Sequence, residues 1–519
     1  MSDRDDADAR YARYVLGVLV VVYVVNFLDR QILAILAERI RADLGISDAQ
    51  LGFLYGTAFA VFFAVFGIPL GRLADVWDRR KLIACGLAAW SGMTALSGLA
   101  RSFPMLAAAR IGVGVGEASA SPAAYSLLSD WFPPARRATV LAVYSSGIYL
   151  GAGLGLGVGG VIVNRWDAAF PPGAAPFGLR GWQVAFLVVG LPGLVLAAWV
   201  ATLREPRRGM QEGRATAARA EARPLRVLGA ELATVLPPFT LVALARAGWR
   251  ALAVNLGAAA AIATAALLLT ALLGSPAQWI ALGIGCYAAA SWLQGLARRD
   301  PPTFALLVGT PSLRLAAVGF ALLSFVGYGA GFWMPTFFQR VHGTSAAEVG
   351  VVLGGSAALA GWLGTMLGGV WADRMRRRHP AGRLQVGIAC GLLAPPCTLA
   401  VLLAPSASLG LALSFPAVLA QSLWIGAGAS TVQDLVLPRM RGAASAAYIL
   451  VVTFIGLALG PWTIGWLSVA LGDLRIAIMA ALGAGLAGAV VLALAARHLA
   501  EDEASAAARA HAAGERAAA

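Results

Sequence analysis

Four polar side chains interrupt an apolar run. In 21-VVYVVNFLDRQILAILAERI-40, Asn26, Asp29, Arg30 and Gln31 stand among residues that otherwise read as one membrane-length helix. A second run, 104-PMLAAARIGVGVGEASASPAAYSLL-128, carries Arg110 and Glu117. A charge inside a bilayer costs roughly 2.5–3.5 kcal/mol on insertion scales, so such residues face a cavity or a partner. Burial raises the proton affinity of a carboxylate and a nearby guanidinium lowers it. A buried carboxylate whose arginine moves away during a working cycle therefore takes up and releases a proton.

Helix geometry says which of these groups can meet. If the first span enters near residue 14, then at 1.5 Å per residue Asp29 lies about 22 Å along it. The fourth span runs the other way from residue 104, so Arg110 lies about 9 Å from the opposite surface. Asp29 and Arg110 are then at one depth. Glu117, seven residues past Arg110, falls on the same helix face. Glu117, Asp29 and Arg110 are the expected proton-coupling group, with Glu117 the main proton carrier and Asp29 linked to it through Arg110. The competing reading is a static ion pair that only positions helices. Arg30 points to another face, where it holds an anionic substrate group or reaches another carboxylate; Asn26 joins it as a substrate-binding candidate.

The elements that position these residues follow from composition. The chain of 519 residues is 59% hydrophobic and 13% charged, with mean hydropathy +0.75. That is too apolar for a soluble globular protein, and it places the chain as an all-α polytopic membrane protein. Apolar runs able to cross a ~30 Å bilayer core fall near 14–36, 51–74, 80–100, 104–128, 137–163 and 182–203, and again near 312–337, 347–371, 384–404, 409–430, 443–467 and 476–497. Two more, near 251–273 and 277–297, form an inserted hairpin and bring the expectation to fourteen spans. The implied organisation is a tail 1–13, a six-helix bundle 14–203, an Arg-rich linker 204–250, the hairpin 251–297, a second bundle 312–497 and a solvated tail 498–519.

The net charge of +14 resides in arginines of short loops. That is the bias that fixes membrane orientation rather than a nucleic-acid footprint, and it places both termini in the cytoplasm of a cell inner membrane. The polar N-terminus has no signal-peptide pattern. Cys85, Cys286, Cys390 and Cys397 all lie in apolar runs, with no metal or disulfide spacing. No nucleotide loop, metal set or catalytic triad is apparent, so no cofactor and no enzymatic turnover are expected. Glycine runs at 112–116 and 147–160 lie in membrane helices without a preceding strand and do not read as phosphate loops. Gly147, Gly151, Gly155 and Gly159 make one smooth face for close helix packing.

The chain repeats itself. 44-LGISDAQLG-52 resembles 342-HGTSAAEVG-350, and 71-GRLADVWDRR-80 resembles 369-GVWADRMRRR-378, both offset by 298; Asp130, Pro134 and Arg137 match Asp434, Pro438 and Arg441 at 304. Two parallel six-helix halves are the architecture of many secondary transporters.

The stretch 71–81 also resembles the loop 2–3 signature of the major facilitator superfamily. The resemblance implies a cytoplasmic gate network from Gly71, Asp75, Arg79 and Arg80, with Asp373 and Arg377 in the second copy, and gives Gly71 the role of allowing close helix approach. The stretches 26-NFLDRQILAIL-36 and 110-RIGVGVGEASASPAAYSLLSDWFPPARRA-138, with the Gly-rich fifth span, further resemble the spinster branch of that superfamily. That implies an alternating-access transporter of amphipathic lipids such as lysophospholipids or sphingoid phosphates. A proton-coupled carrier of small organic anions is the alternative, and a non-transporting membrane sensor the alternative of another class. Tyr328, Trp333 and Trp424 are candidate contacts for an amphipathic ligand. Gly327 stands where the repeat places the counterpart of Asp29, so charge is concentrated in the first half. The expected partners are the bilayer, the substrate and protons, with the chain acting as a monomer and without nucleic acid.

Overall fold

The computed structural model describes residues 3–171, 174–208, 224–236 and 239–515, and among these residues it is helical without a strand. Backbone polar groups in lipid must be satisfied within the spanning element, which leaves helices for a chain of this pattern. The helices are α1 (Asp3–Leu44), α2 (Asp48–Tyr55), α3 (Thr57–Val76), α4 (Arg79–Ser97), α5 (Phe103–Glu117), α6 (Ala120–Trp131), α7 (Pro134–Ala169), α8 (Gly181–Ala201), α9 (Pro224–Val235), α10 (Phe239–Ala247), α11 (Trp249–Leu273), α12 (Pro276–Arg299), α13 (Pro301–Gly309), α14 (Pro311–Val341), α15 (Ala346–Arg378), α16 (Gly382–Leu402), α17 (Ala407–Ser422), α18 (Ile425–Asp434), α19 (Arg441–Val451), α20 (Gly460–Leu471) and α21 (Leu474–Ala512).

By length and composition alone, twelve described helices or helix pairs can cross a membrane, or thirteen if the bent pair formed by α9 and α10 is one span. The sequence expectation of fourteen also included α4 and the α5–α6 pair, which are not among the twelve. The first turn of α4 holds Arg79, Arg80 and Lys81, and the fourth span is divided at Ala118–Ser119. The stretch expected as a plain linker holds α9 and α10; its residues 209–223 lie outside those described.

The helices group into two compact units. The first comprises Met1–Gly45, Val65–Leu232 and Ser345–Ala358; the second comprises Ile46–Ala64, Ala233–Thr344 and Leu359–Ala519. Each unit thus takes the opening segment of one long helix from the other repeat. In the first unit, the glycine stripe of α7 lies against α1: a methyl at Gly155 would stand 2.7 Å from the Leu28 carbonyl oxygen. A second stripe, missed in the sequence, turns Gly153, Gly157 and Gly160 toward Gly354, Gly350 and Ala346. In the second unit, α2 is started by a capping box in which the Ser47 hydroxyl accepts from Gln50 N and the Gln50 side chain accepts from Ser47 N. Gly52 and Gly56 then pack on the backbone of Pro461 and Leu457. That part of the eleventh span is a π-helix, Val452–Leu459, where Pro461 brings no backbone N–H.

The hairpin α11–α12 belongs to the second unit. Its inner side is fastened by a polar cluster: Tyr287 donates to Asn255 Oδ1 (2.6 Å), and Asn255 donates to Ser291 (3.0 Å) and Gln294 (2.9 Å). The most apolar window of α11 has no buried share, as fits a lipid-facing helix. The expected solvated tail is instead docked. Helix α21 runs unbroken to Ala512, and Asp502, Ala506 and Ala510 are buried. Asp502 accepts from Ser312 N at the start of α14 (2.8 Å), and Arg509 donates to Thr310 (2.8 Å).

Candidate functional site

The charges of α1 and α5 meet inside the first unit. Asp29 and Arg30 are neighbours, so a helix turns them about 100° apart and each finds a different partner. Asp29 pairs with Arg110 at 3.7 Å and accepts from the Thr94 hydroxyl of α4. Arg30 donates to Glu117 at 2.5 Å. Of the two readings open for Arg30, reaching another carboxylate is the one this geometry realises. Its guanidinium also lies over the Phe27 ring, 4.7 Å from the centroid. Asp29, Arg110 and Glu117 are each 1% exposed. Pairing is what makes such charges tolerable, because a lone buried charge would be far more costly.

Glu117 is the last residue of α5, beside the break at Ala118–Ser119. Asn26 is buried beside it, with its amide outside hydrogen-bonding geometry. One oxygen each of Asp29 and Glu117 and the Trp90 indole N–H are also buried without a hydrogen bond. The sequence reading missed Thr94 and Trp90, because a lone hydroxyl or indole in an apolar run carries no pairing signal.

At the arginine-rich end of the first unit, Arg79 is fully buried and pairs with Asp130 (2.5 Å) and Glu205 (2.7 Å). It also donates to the Ser126 hydroxyl (2.9 Å) and the Pro206 carbonyl (3.2 Å). Arg80 pairs with Asp78 and donates to the Leu203 carbonyl (2.7 Å). Asp75 stands outside this cluster, mostly exposed, 3.7 Å from Arg72. A methyl at Gly71 would make only ordinary contact with Pro122 at 4.0 Å, so close helix approach does not explain this glycine in the conformation seen.

The second copy differs from the sequence reading in register. Arg383, not Arg377, bonds Asp434, and it also reaches Asp373 at 3.3 Å. Arg383 follows Arg79 by 304 residues, the same offset that relates Asp434 to Asp130. Six extra residues in loop 8–9 shift the copy, so an offset of 298 points six residues too early. Arg376 pairs with Asp434 and Glu503.

The aromatic candidates divide. Tyr328 is 37% exposed. Trp333 is fully buried and donates to the Pro461 carbonyl (2.8 Å), and Trp424 stacks on Phe320 within the core. Both indoles are packing residues in this conformation, the reading that competes for each of them with contact to a ligand. One ionic cluster of the second unit was not foreseen: buried Asp48 accepts from Arg340 (2.7 and 3.0 Å) and from Ser468 (2.8 Å).

The sequence profile of the Major Facilitator Superfamily matches residues 19–338. An MFS-type efflux pump of Mycolicibacterium smegmatis is 28% identical over 475 residues, 91% of this chain and 88% of that one. A solved bacterial homologue of the human lysosomal transporter spinster, inward-facing and unoccupied, superposes with TM-score 0.72 at 26% identity, covering 95% of this chain and 98% of that chain. A hexuronate transporter of Bacillus subtilis is 31% identical over 203 residues, 39% of this chain and 44% of the relative.

Proposed function

The chain belongs to the Major Facilitator Superfamily, and from that premise we propose that this multi-pass membrane transporter is proton-coupled and moves an amphipathic, lipid-like anion such as a lysophospholipid or sphingoid phosphate by alternating access. It works as a monomer in the cell inner membrane with both termini cytoplasmic, the side to which arginine-rich loops are drawn. The observation that carries the reading is the pair of buried ion pairs, Arg30–Glu117 and Arg110–Asp29. When the anionic group of a substrate draws Arg30 away, Glu117 loses its counter-charge in an apolar surrounding and takes a proton. When the substrate leaves, Arg30 returns and the proton is released. Arg30 and Asn26 hold the headgroup, and Phe27 beneath Arg30 offers apolar contact. The likeness to the bacterial spinster homologue over nearly the whole chain supports the lipid class.

In the second reading the cargo is a small organic anion. The likeness of part of the chain to a hexuronate transporter favours it, and the same Arg30 would bind a carboxylate.

The test is uptake by purified protein in liposomes with and without an imposed proton gradient, comparing a labelled lysophospholipid with a panel of organic anions that includes hexuronates. The proposal expects gradient-driven lysolipid movement that falls about 100-fold in Glu117→Gln, the scale of losing a positioned proton-transfer group. Movement of an organic anion alone replaces the lipid assignment. Unchanged gradient dependence in Glu117→Gln overturns the coupling mechanism.

A further inference from the structure

The inserted hairpin grips the second span, and neither the ion pairs nor the gate accounts for it. Residues 46–64 of that span, the half away from the arginine-rich loops, group with the second unit, as do α11 and α12. Gln278, in the first turn of α12, is 1% exposed, and its amide oxygen lies 2.6 Å from the Thr57 hydroxyl at the start of α3. The same hydroxyl lies 2.8 Å from the Ala458 carbonyl of the π-helix. Two turns on, α12 stays close to both elements: a methyl at Gly285 would stand 2.8 Å from Val61 and 2.8 Å from Phe454.

The tip of the hairpin is fastened as well. Gly274 and Ser275 both take positive φ, 68° and 58°, and for serine that backbone is strained. The last carbonyls of α11 are used there: Leu273 accepts from the Trp466 indole of α20 (3.0 Å), and Gly274 accepts from the Trp279 indole (3.0 Å). Trp279 meets Trp462 of α20 edge-on at 4.7 Å. A hairpin that only added lipid-facing surface would need neither a strained, fastened turn nor a buried amide. Among the described residues the Gln278 amide nitrogen finds no hydrogen-bond partner. A methionine would fill the same place without that desolvation. The other end of α2 is pinned separately, where Asp48 accepts from Arg340 and Ser468.

We infer that the inserted hairpin is an outer latch: through Gln278 and Thr57 it holds α2 against α20 and restrains opening of the transporter on the side away from the arginine-rich loops. By sequence α2 belongs to the first repeat and α20 to the second. A transporter that opens on that side parts them, so this role rests on the alternating-access reading. Gly52 and Gly56, seated on the backbone of Pro461 and Leu457, make a close and smooth seam. Such a seam has little direction of its own, and the polar contacts at Thr57 and Asp48 fix where α2 stops. A hydroxyl has one proton, so Thr57 donates to one of its two acceptors at a time. The hold of Gln278 is then one net hydrogen bond, a bias of about tenfold. That favours the closed seam and still releases in every cycle.

The experiment reads opening itself, so no substrate is needed. Full-length protein carries a single cysteine, Ala49→Cys, after Cys85, Cys286, Cys390 and Cys397 are replaced by alanine. Ala49 lies in α2 and is 7% exposed, so a membrane-impermeant maleimide added to whole cells reaches it when α2 leaves its seat. Gln278→Met and Thr57→Val each remove one polar group of the latch and keep the shape. Ser291→Ala removes a buried hairpin hydroxyl that is bonded to Asn255 instead. The latch expects labelling about tenfold faster in Gln278→Met and in Thr57→Val, the scale of one net hydrogen bond, and the parent rate in Ser291→Ala. Labelling at one unchanged rate in Gln278→Met and Thr57→Val overturns the latch and leaves alternating access standing. An equal rise in Ser291→Ala means a general loosening of the hairpin and also overturns it. A cysteine at 49 that stays unlabelled in every protein, Arg340→Gln included, means that α2 does not part from α20, and the latch and alternating access then fall together.

Discussion

The first and second repeats use one scaffold with opposite chemistry. Asn26, Asp29 and Arg30 correspond at an offset of 298 to Ser324, Gly327 and Tyr328. Arg110 and Glu117 correspond at 304 to Ser414 and Gln421, and Thr94 to Thr398. In the second unit Gln421 donates to the Leu323 carbonyl (2.9 Å), and a methyl added at Gly327 would stand 2.9 Å from its amide nitrogen. The place of the buried carboxylate is therefore held by an amide that satisfies itself on the neighbouring helix. A helix bundle of this shape is built without charge there. The charges of the first unit are not needed to assemble a repeat, and each carries an insertion cost of ~2.5–3.5 kcal/mol. Their persistence in one copy only is an argument that they work in the transport cycle.

The sharpest way to break this comparison is to write the second repeat into the first. Arg110→Ser alone leaves Asp29 buried without its guanidinium and is expected to destabilise the protein by about 3–5 kcal/mol. Arg110→Ser with Asp29→Ala removes both charges and should recover most of that loss, as for a buried ion pair replaced whole. Thermal unfolding of the four proteins in detergent gives the coupling energy of the cycle. Additive losses would mean that the first repeat does require its charges for folding.

The gate pairs give a smaller contrast. Arg79 is 1% exposed at its side chain and serves two carboxylates, whereas Arg383 is 20% exposed. Arg79→Ala should therefore cost about 3–5 kcal/mol, leaving Asp130 and Glu205 without their shared cation. Arg383→Ala should cost about 1 kcal/mol, nearer the value for solvated pairs. Arg377→Ala should cost less again if Arg383 is the true counterpart of Arg79. A larger loss from Arg377→Ala than from Arg383→Ala, measured by the same melts, would restore the offset read from the sequence.

These contrasts also mark what the sequence could convey. Span positions follow from apolar runs and the repeat from matched motifs, and the Asp29–Arg110 pair follows from depth, because a rise of 1.5 Å per residue converts position into height. Lateral facing is harder. It sent Arg30 to Glu117, a partner two turns from Arg110, and it turned Trp333 and Trp424 into the packing, where an indole and a cavity-facing ring look alike in sequence. The register of the second gate was obscured by six loop residues between otherwise matching helices. The glycine face of Gly153, Gly157 and Gly160 was hidden by the more regular stripe at every fourth residue. The tail after residue 500 reads as solvated because it is Ala-rich, yet Glu503 pairs with Arg376, Glu515 with Arg439, and Asp502 accepts from Ser312 N.

That tail supplies the smallest expected effect and the cleanest sign. Arg439 bridges Asp300 (2.8 Å) and Glu515 (2.6 Å), two carboxyls outside the spanning segments. Hydrogen bonds from Arg439 hold both carboxyls below the usual carboxylate range. A carboxyl whose folded pKa lies below its unfolded value stabilises the fold at pH above the unfolded value, and that stabilisation is lost as pH falls through the folded one. Arg439→Ala should therefore lower the thermal midpoint slightly at neutral pH, by about a degree or less given the exposure of these groups. The difference from wild type should shrink as the pH is taken below the carboxylate range, and should also shrink in high salt, which screens exposed pairs. A deficit that stays constant with pH would mean that the guanidinium acts through packing. The tail would then be held like the second unit's core, by contact rather than charge.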